Sequence, residues 1–158
     1  MEIFDVGINN KTKEFISKQL NIILADQYVL FTKLNKYHWN IKGPNFGPLH
    51  ELFEKGYKMI FENFDKTAER IVQLDYEAIG TLSEFLKFTH LSEDPIKSPN
   101  SNEMIKNLNK DFSILIIQIR ELLNQIENTY KDGATENFLA DFLEQYEKYN
   151  WILKSHLL

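Results

Sequence analysis

The stretch YHWNIKGPNFGPLH, residues 37–50, places two histidines, His38 and His50, on either side of two Gly-Pro steps. Gly-Pro steps mark turns, and a proline also fits the first turn of a helix, where a missing N–H costs nothing. We therefore expect one helix to end near residue 39 and another to begin near residue 48. The hairpin between them would fold His38 back beside His50.

Two carboxylates follow in FDKTAERIVQL, residues 64–74. Asp65 and Glu69 are four residues apart and therefore share one face of a helix. With the two imidazoles they form a ligand set that suits iron, manganese or zinc better than a metal that prefers thiolates. Asp65 lies fifteen residues after His50, which is about 22 Å along a helix. One metal cannot span that distance, so a shared site requires two subunits, most simply with antiparallel helices across a two-fold axis.

Apolar residues recur every three to four positions along most of the chain, as in amphipathic helices. Four long helices, with one short helix in the connection between the second and third long ones, predict an all-α four-helix bundle. We expect Gly133 to stop the third long helix and Thr135 to cap the fourth. We take the chain as one domain in which residues 1–10 are a short N-terminal extension. The predicted helices span about 12–39, 48–75, 82–88, 101–130 and 135–158.

The second long helix has a face that we predict to be a subunit interface, and it carries His50, Glu54, Phe61, Asp65 and Glu69. Two copies packed antiparallel would bring the His50 end of one helix against the Asp65 end of the other, giving two equivalent sites. Glu54 has two interpretations: a ligand of a second metal, directly or through water, or a solvated helix charge. The sequence contains no Glu-x-x-His motif, which disfavours a metal site inside one bundle.

These residues resemble the Dps family, the mini-ferritins named as DNA-binding proteins from starved cells. The resemblance rests on His-Trp-Asn, on the Gly-Pro, Phe and His that follow it, and on Asp with Ala-Glu-Arg-Ile-Val-Gln-Leu, within residues 38–50 and 65–74. It continues at residues 135–139 and 147–156 and is weak over 1–10 and 96–109. It implies a ferritin-like fold and a hollow homo-dodecamer with ferroxidase sites between two subunits.

The resemblance also implies a reaction. His38, His50, Asp65 and Glu69 would bind and oxidise iron, with the tighter ion on His38, Asp65 and Glu69. A second, weaker ion would use His50 and, in one interpretation, Glu54. Hydrogen peroxide, the preferred oxidant of the family, would take two electrons from two Fe(II) ions. The products would be water and stored ferric mineral instead of hydroxyl radicals, which protects against oxidative stress.

The family's name offers an alternative function, DNA binding and nucleoid compaction. The first ten residues contain Glu2 and Asp5 but no Lys or Arg, and the net charge of the chain is −5. Because phosphate contacts come chiefly from Lys and Arg, we expect little DNA binding, although Lys11 and Lys13, or a patch elsewhere on the surface, leave the alternative open. A third interpretation is a helical bundle that has kept this pattern for assembly alone.

The composition excludes several classes of protein. The 158 residues are 43% hydrophobic and 26% charged, which suffices for one buried core. The absence of cysteine excludes disulfides, thiol catalysis and thiolate metal sites. The apolar run at residues 114–117 is far shorter than the roughly 20 residues of a membrane helix. Since the N-terminus also lacks the pattern of a signal peptide, we expect a cytoplasmic protein without a membrane partner.

Two features concern the ends of helices. Asp132, Glu136 and Asp141 cluster at the start of the last helix, where acidic residues commonly cap. The resemblance offers a second interpretation of this cluster, the lining of a three-fold pore for ferrous ions. Asp75-Tyr76 stands where the family usually has two glycines, so we expect the second long helix to continue about one turn further than in the family.

Overall fold

The computed structural model describes residues 5–157, and within that range it is a bundle of α-helices without a β-strand. A short π-helix, Ile126–Tyr130, continues the third long helix. The predicted all-α bundle, with its short helix between the second and third long helices, is confirmed. The first four residues of the predicted extension and residue 158 lie outside the described residues. The helices are α1, Asn10–Asn40; α2, Phe46–Gln73; α3, Leu82–Phe88; α4, Ser101–Gln125; and α5, Gly133–Ser155.

The core lies between the four long helices. α1 packs along α2, and α4 packs along α5. Large side chains from each helix are fully buried there, among them Tyr37, Phe53, Phe112 and Tyr146. No described helix is both long enough and apolar enough to cross a bilayer.

Gly56 sets how closely α2 and α5 approach. A Cβ atom at this position would lie 2.4 Å from the hydroxyl oxygen of Tyr149 and 3.0 Å from a methyl group of Leu34. The same hydroxyl donates a hydrogen bond of 2.8 Å to the carbonyl oxygen of Leu52. Burial raises the pKa of Tyr149 because the ionised ring would lose its hydration. The missing side chain therefore lets a tyrosine bind the backbone of α2 directly.

The connection between α3 and α4 is tied to α1 by buried polar groups. Asp26, which is fully buried, accepts hydrogen bonds from the hydroxyl of Thr89 and the N–H of His90, at 2.7 and 2.6 Å. Further along, the hydroxyl of Tyr37 donates to Asp94 at 2.5 Å. These bonds satisfy backbone and side-chain groups that the chain buries when it crosses α1.

A buried ion pair joins α1 to α4. Nζ of Lys33 lies 2.5 Å from Oδ2 of Asp111, and both side chains are almost completely shielded from solvent. Burial raises the pKa of Asp111, and the charge of Lys33 opposes that rise. Each charge therefore depends on the other for its stability in the interior.

α2 ends at Gln73, and the expected additional turn is wrong. Asp75 has a φ of 65°, the left-handed conformation that stops a helix. Aspartate tolerates this conformation better than most residues with a Cβ atom. Lys13 holds the carboxylate, with Nζ 2.5 Å from Oδ2, and so ties the turn to α1. Asp75 thus takes the turn for which glycine is the usual choice.

The junction before α5 corrects two more expectations. Gly133 does not stop the preceding helix: Lys131, with a φ of 57°, ends it, and Gly133 is the first residue of α5. Asp132, not Thr135, is the N-cap: its carboxylate accepts from the backbone N–H of Thr135. The hydroxyl of Thr135 is buried and donates to the same carboxylate at 2.5 Å. Both residue types can cap, but only the aspartate is placed three residues before the N–H it must bind.

Candidate metal centre

The hairpin between α1 and α2 brings the two histidines together. The rings of His38 and His50 stack with their centroids 3.8 Å apart and their planes 21° from parallel. Nδ1 of His38 donates to the carbonyl oxygen of His50 at 2.8 Å, and Nδ1 of His50 donates to the carbonyl oxygen of His38 at 2.9 Å. Each histidine thus fixes the other through the backbone.

These two hydrogen bonds determine the chemistry of the rings. A carbonyl oxygen only accepts, so each Nδ1 must carry the hydrogen. In a neutral imidazole the other nitrogen, Nε2, is then unprotonated and has a lone pair for a metal. Metal-binding histidines in general are oriented in this way, with the second ring nitrogen bonded to a carbonyl or a carboxylate. Sequence reasoning predicted that the rings are neighbours but not these reciprocal bonds, which no residue pattern signals.

Two aromatic rings enclose the imidazole pair. Phe46 stacks on His50 at a centroid distance of 5.0 Å, and Tyr57 meets His38 edge to face at 5.3 Å. Such contacts restrict the rotation of the imidazoles at a small cost in conformational entropy. The two Nε2 atoms are therefore held in place before any ion arrives.

Glu54 lies one turn after His50 and is half-buried. Its Oε1 accepts a hydrogen bond of 2.5 Å from Nζ of Lys58, and this bond, with the charge of Lys58, holds the pKa of Glu54 below its usual value. In their charged forms, His38 and His50 lower the pKa of Glu54 more weakly in the same direction. The structure thus brings Glu54 to the histidine end of the site, and Lys58 is its partner in the chain.

Asp65 and Glu69 lie at the other end of α2. Both are exposed, and neither makes a hydrogen bond or an ion pair with the described part of the chain. α2 is continuous from Phe46 to Gln73, so His50 and Asp65 are separated by about 22 Å of helix. Among residues 5–157, no three His, Asp or Glu side chains of one chain lie close enough to hold a metal together.

Arg70, next to Glu69, makes a contact that sequence reasoning missed. It donates to both carboxylate oxygens of Asp132, at 3.1 and 2.8 Å, and to the hydroxyl of Thr135 at 2.9 Å. Burial would raise the pKa of Asp132, but the hydrogen bonds from Thr135 and Arg70 outweigh it and the pKa is lowered. The guanidinium therefore connects the carboxylate end of α2 to the start of α5.

The same contact bears on the predicted acidic cluster. Asp132 is only 5% exposed and is occupied as a cap and an ion-pair partner, so its capping interpretation fits the structure. Glu136 and Asp141 remain accessible to solvent. The signal for the ion pair could not be local, because Arg70 and Asp132 are 62 residues apart.

The comparisons with known proteins agree with this fold. The ferritin-like domain family matches residues 17–158. The DNA protection during starvation protein of Helicobacter pylori strain J99 is 36% identical over 138 residues, which are 87% of this chain and 95% of the relative. The chain belongs to the Dps family of ferritin-like proteins.

Solved Dps structures superpose closely on the chain. The Dps protein of Vibrio cholerae O1 has a TM-score of 0.92 at 29% identity, covering 97% of this chain and 95% of that one. The Dps of Staphylococcus aureus has a TM-score of 0.88 at 31% identity, covering 96% and 99%. The Vibrio cholerae protein is described as a member of a broad superfamily of ferritin-like diiron-carboxylate proteins.

Proposed function

We propose that this Dps-family chain forms an iron-oxidising and iron-storing shell in which hydrogen peroxide oxidises Fe(II) at sites shared between two copies. Family membership and the likeness to a diiron-carboxylate protein support iron handling and protection in general. The observation that carries the finer proposal is the reciprocal bonding of His38 and His50. Whenever the two imidazoles are neutral, these bonds leave the lone pair of each Nε2 free for a metal.

The division of the candidate ligands supports the sharing of sites. His38, His50 and Glu54 lie at one end of α2, while Asp65 and Glu69 lie at the other and have no partner in the described chain. Two antiparallel α2 helices related by a two-fold axis would complete two sites at once. By family analogy, six such pairs would make a dodecamer, and we place the shell in the cytoplasm.

The donor set fits iron as a substrate. Two neutral imidazoles and carboxylates are ligands of intermediate and hard character, which bind Fe(II) without the strong retention that thiolates would give. In the proposed reaction two Fe(II) ions each give one electron to hydrogen peroxide, whose O–O bond breaks. With two protons the oxygen atoms leave as two water molecules, and hydrolysis of the two Fe(III) ions gives ferric oxyhydroxide and releases protons. Both electrons reach one peroxide, so no hydroxyl radical is formed.

The proposal is tested by mixing the assembled protein with anaerobic Fe(II) and adding hydrogen peroxide. The absorbance of ferric product should rise faster than in buffer, and His50→Asn should remove most of this acceleration. Asparagine can still donate to the carbonyl of His38 but has no equivalent of Nε2. His156→Asn, at the exposed end of α5, is the matched control. A wild-type rate equal to that of buffer would support the assembly-only interpretation instead.

The DNA-binding alternative is weakened by one contact. Lys13, one of the two cations that left it open, is buried and pairs with Asp75, which leaves Lys11 exposed nearby. A gel shift of linear DNA at low salt separates the two functions. A strong shift that disappears as salt is added would restore the DNA-binding role, because phosphate contacts release counterions.

A further inference from the structure

Lys58 lies one helical turn after Glu54, on the candidate interface of α2. Its ammonium group binds Glu54 at 2.5 Å, while Glu54 is the only carboxylate among the predicted ligands that lies at the histidine end. The Lys58 side chain is 62% exposed, and among residues 5–157 its ion pair is with Glu54. A cation of the protein itself therefore lies on the carboxylate that a second metal ion would need.

We propose that Lys58 determines the affinity of the second metal position: it competes with the ion for Glu54 and repels any divalent cation that binds beside the two histidines. This inference rests on the proposed function, since it deepens the description of the same site. The first position, assigned to His38, Asp65 and Glu69, does not use Glu54 and is less affected.

Two effects set the size of the competition. An exposed ion pair four residues apart on a helix is weak. A metal ion that must displace Lys58 from Glu54 therefore binds only about twofold more weakly for this reason. A unit charge about 6 Å from a divalent ion in a water-like dielectric lowers the binding constant by roughly another factor of ten. The charge repulsion, and not the hydrogen bond, is therefore the larger effect. The product of the two factors is about a twentyfold weakening of metal binding at the second position.

A weak second position has a use in turnover. An ion that is held loosely can leave as ferric product and be replaced by the next Fe(II), whereas a tight pair would block the site after one cycle. Lys58 would thus lower the occupancy of the second position and speed its turnover.

The inference is tested by calorimetric titration of the assembled protein with Co(II), which does not turn over. We compare wild type with Lys58→Met, with Lys58→Arg, and with Lys55→Met, which removes a charge from the same helix without touching Glu54. Lys58→Met should tighten the second binding step about tenfold or more and change the first step by less than about threefold. Lys58→Arg should behave as wild type, and Lys55→Met should change the second step by at most about threefold. The gain in Lys58→Met should shrink at high salt, because exposed charges are screened.

Several outcomes overturn the inference. If the second step in Lys58→Met stays as weak as in wild type, or is undetectable in both, Lys58 does not control it. An equal gain in Lys55→Met would mean that overall charge, not the contact with Glu54, is responsible. If wild type shows a normal first step in either case, the proposed function stands and this inference alone fails. If wild type binds no Co(II) at all, both fail together.

Discussion

The proposed sharing of sites makes one strong prediction, that two inactive variants should repair each other. The first variant combines His38→Asn and His50→Asn, and the second combines Asp65→Asn and Glu69→Gln. The asparagines keep a donor for the backbone carbonyls that Nδ1 binds, and the amides keep the shape of the exposed carboxylates. Each variant alone leaves every shared site with only half of its ligands, so neither should oxidise Fe(II) faster than buffer.

The size of the repair follows from the geometry. His50 and Asp65 of one chain are about 22 Å apart along α2, so no chain can complete its own site. In a pair with one chain of each variant, one of the two sites receives all of its ligands and the other keeps only Glu54. Random pairing makes half of all pairs mixed, so about one quarter of the wild-type sites should be active.

The assay uses the two variants, differently tagged, expressed together and purified through both tags. The initial rise of ferric absorbance after peroxide addition should be at least about a quarter of the wild-type rate per subunit. Mixing the two separately purified oligomers, without exchange of subunits, is the control and should stay inactive. If the co-expressed oligomers are no faster than this control, the sites are not shared. Full activity of an isolated monomer would refute the reasoning just as directly.

Three further predictions concern stability, measured by urea unfolding at fixed protein concentration. Gly56→Ala should cost about 1–3 kcal/mol because its Cβ has no room, whereas Gly80→Ala, in open space, should stay within about 0.5 kcal/mol. Asp111→Ala should cost about 3–5 kcal/mol by leaving Lys33 buried without its partner, and replacing both by Met and Leu should cost much less. Asp132→Asn, which can still cap α5 but loses the charge that Arg70 binds, should cost about 1–2 kcal/mol at pH 7. Because the folded-state pKa of Asp132 is lowered, that difference should be complete above the ordinary aspartate value of 3.8 and vanish as the pH falls through the lower, folded-state value.

The helices could be predicted from the sequence because their signals are local. Apolar residues at three- and four-residue steps, and the Gly-Pro steps of the hairpin, gave the order of the elements and most of their ends. The errors at helix ends arose because several residue types can cap or turn a chain, and the local sequence does not choose between them. The choice of Asp132 over Thr135 depends on Arg70, and the turn at Asp75 depends on Lys13, both more than 60 residues away.

The sequence led to a prediction of which residues form the candidate centre, but not of how its histidines are arranged. The spacing of His38, His50, Asp65 and Glu69 indicated a divided site, because helical rise converts sequence separation into distance. The reciprocal bonds of the two histidines depend on how the hairpin closes, which no periodicity encodes. The pair of Glu54 and Lys58 did have a signal, since a glutamate four residues before a lysine favours an ion pair on a helix.

The spacing of the candidate ligands along α2 gives Glu54 a place in the site under the proposed pairing. The step from His50 to Glu54 equals the step from Asp65 to Glu69, so one antiparallel register places both carboxylates of one copy opposite both residues of the other. The two-fold axis would then pass close to residues 59 and 60. Phe61, which is 53% exposed in the single chain, lies on the same face nearest to that axis, and its two copies would cover each other. Such a contact would remove from solvent an apolar ring that a single chain leaves about half exposed. The register that would complete the metal sites would therefore also bury this ring.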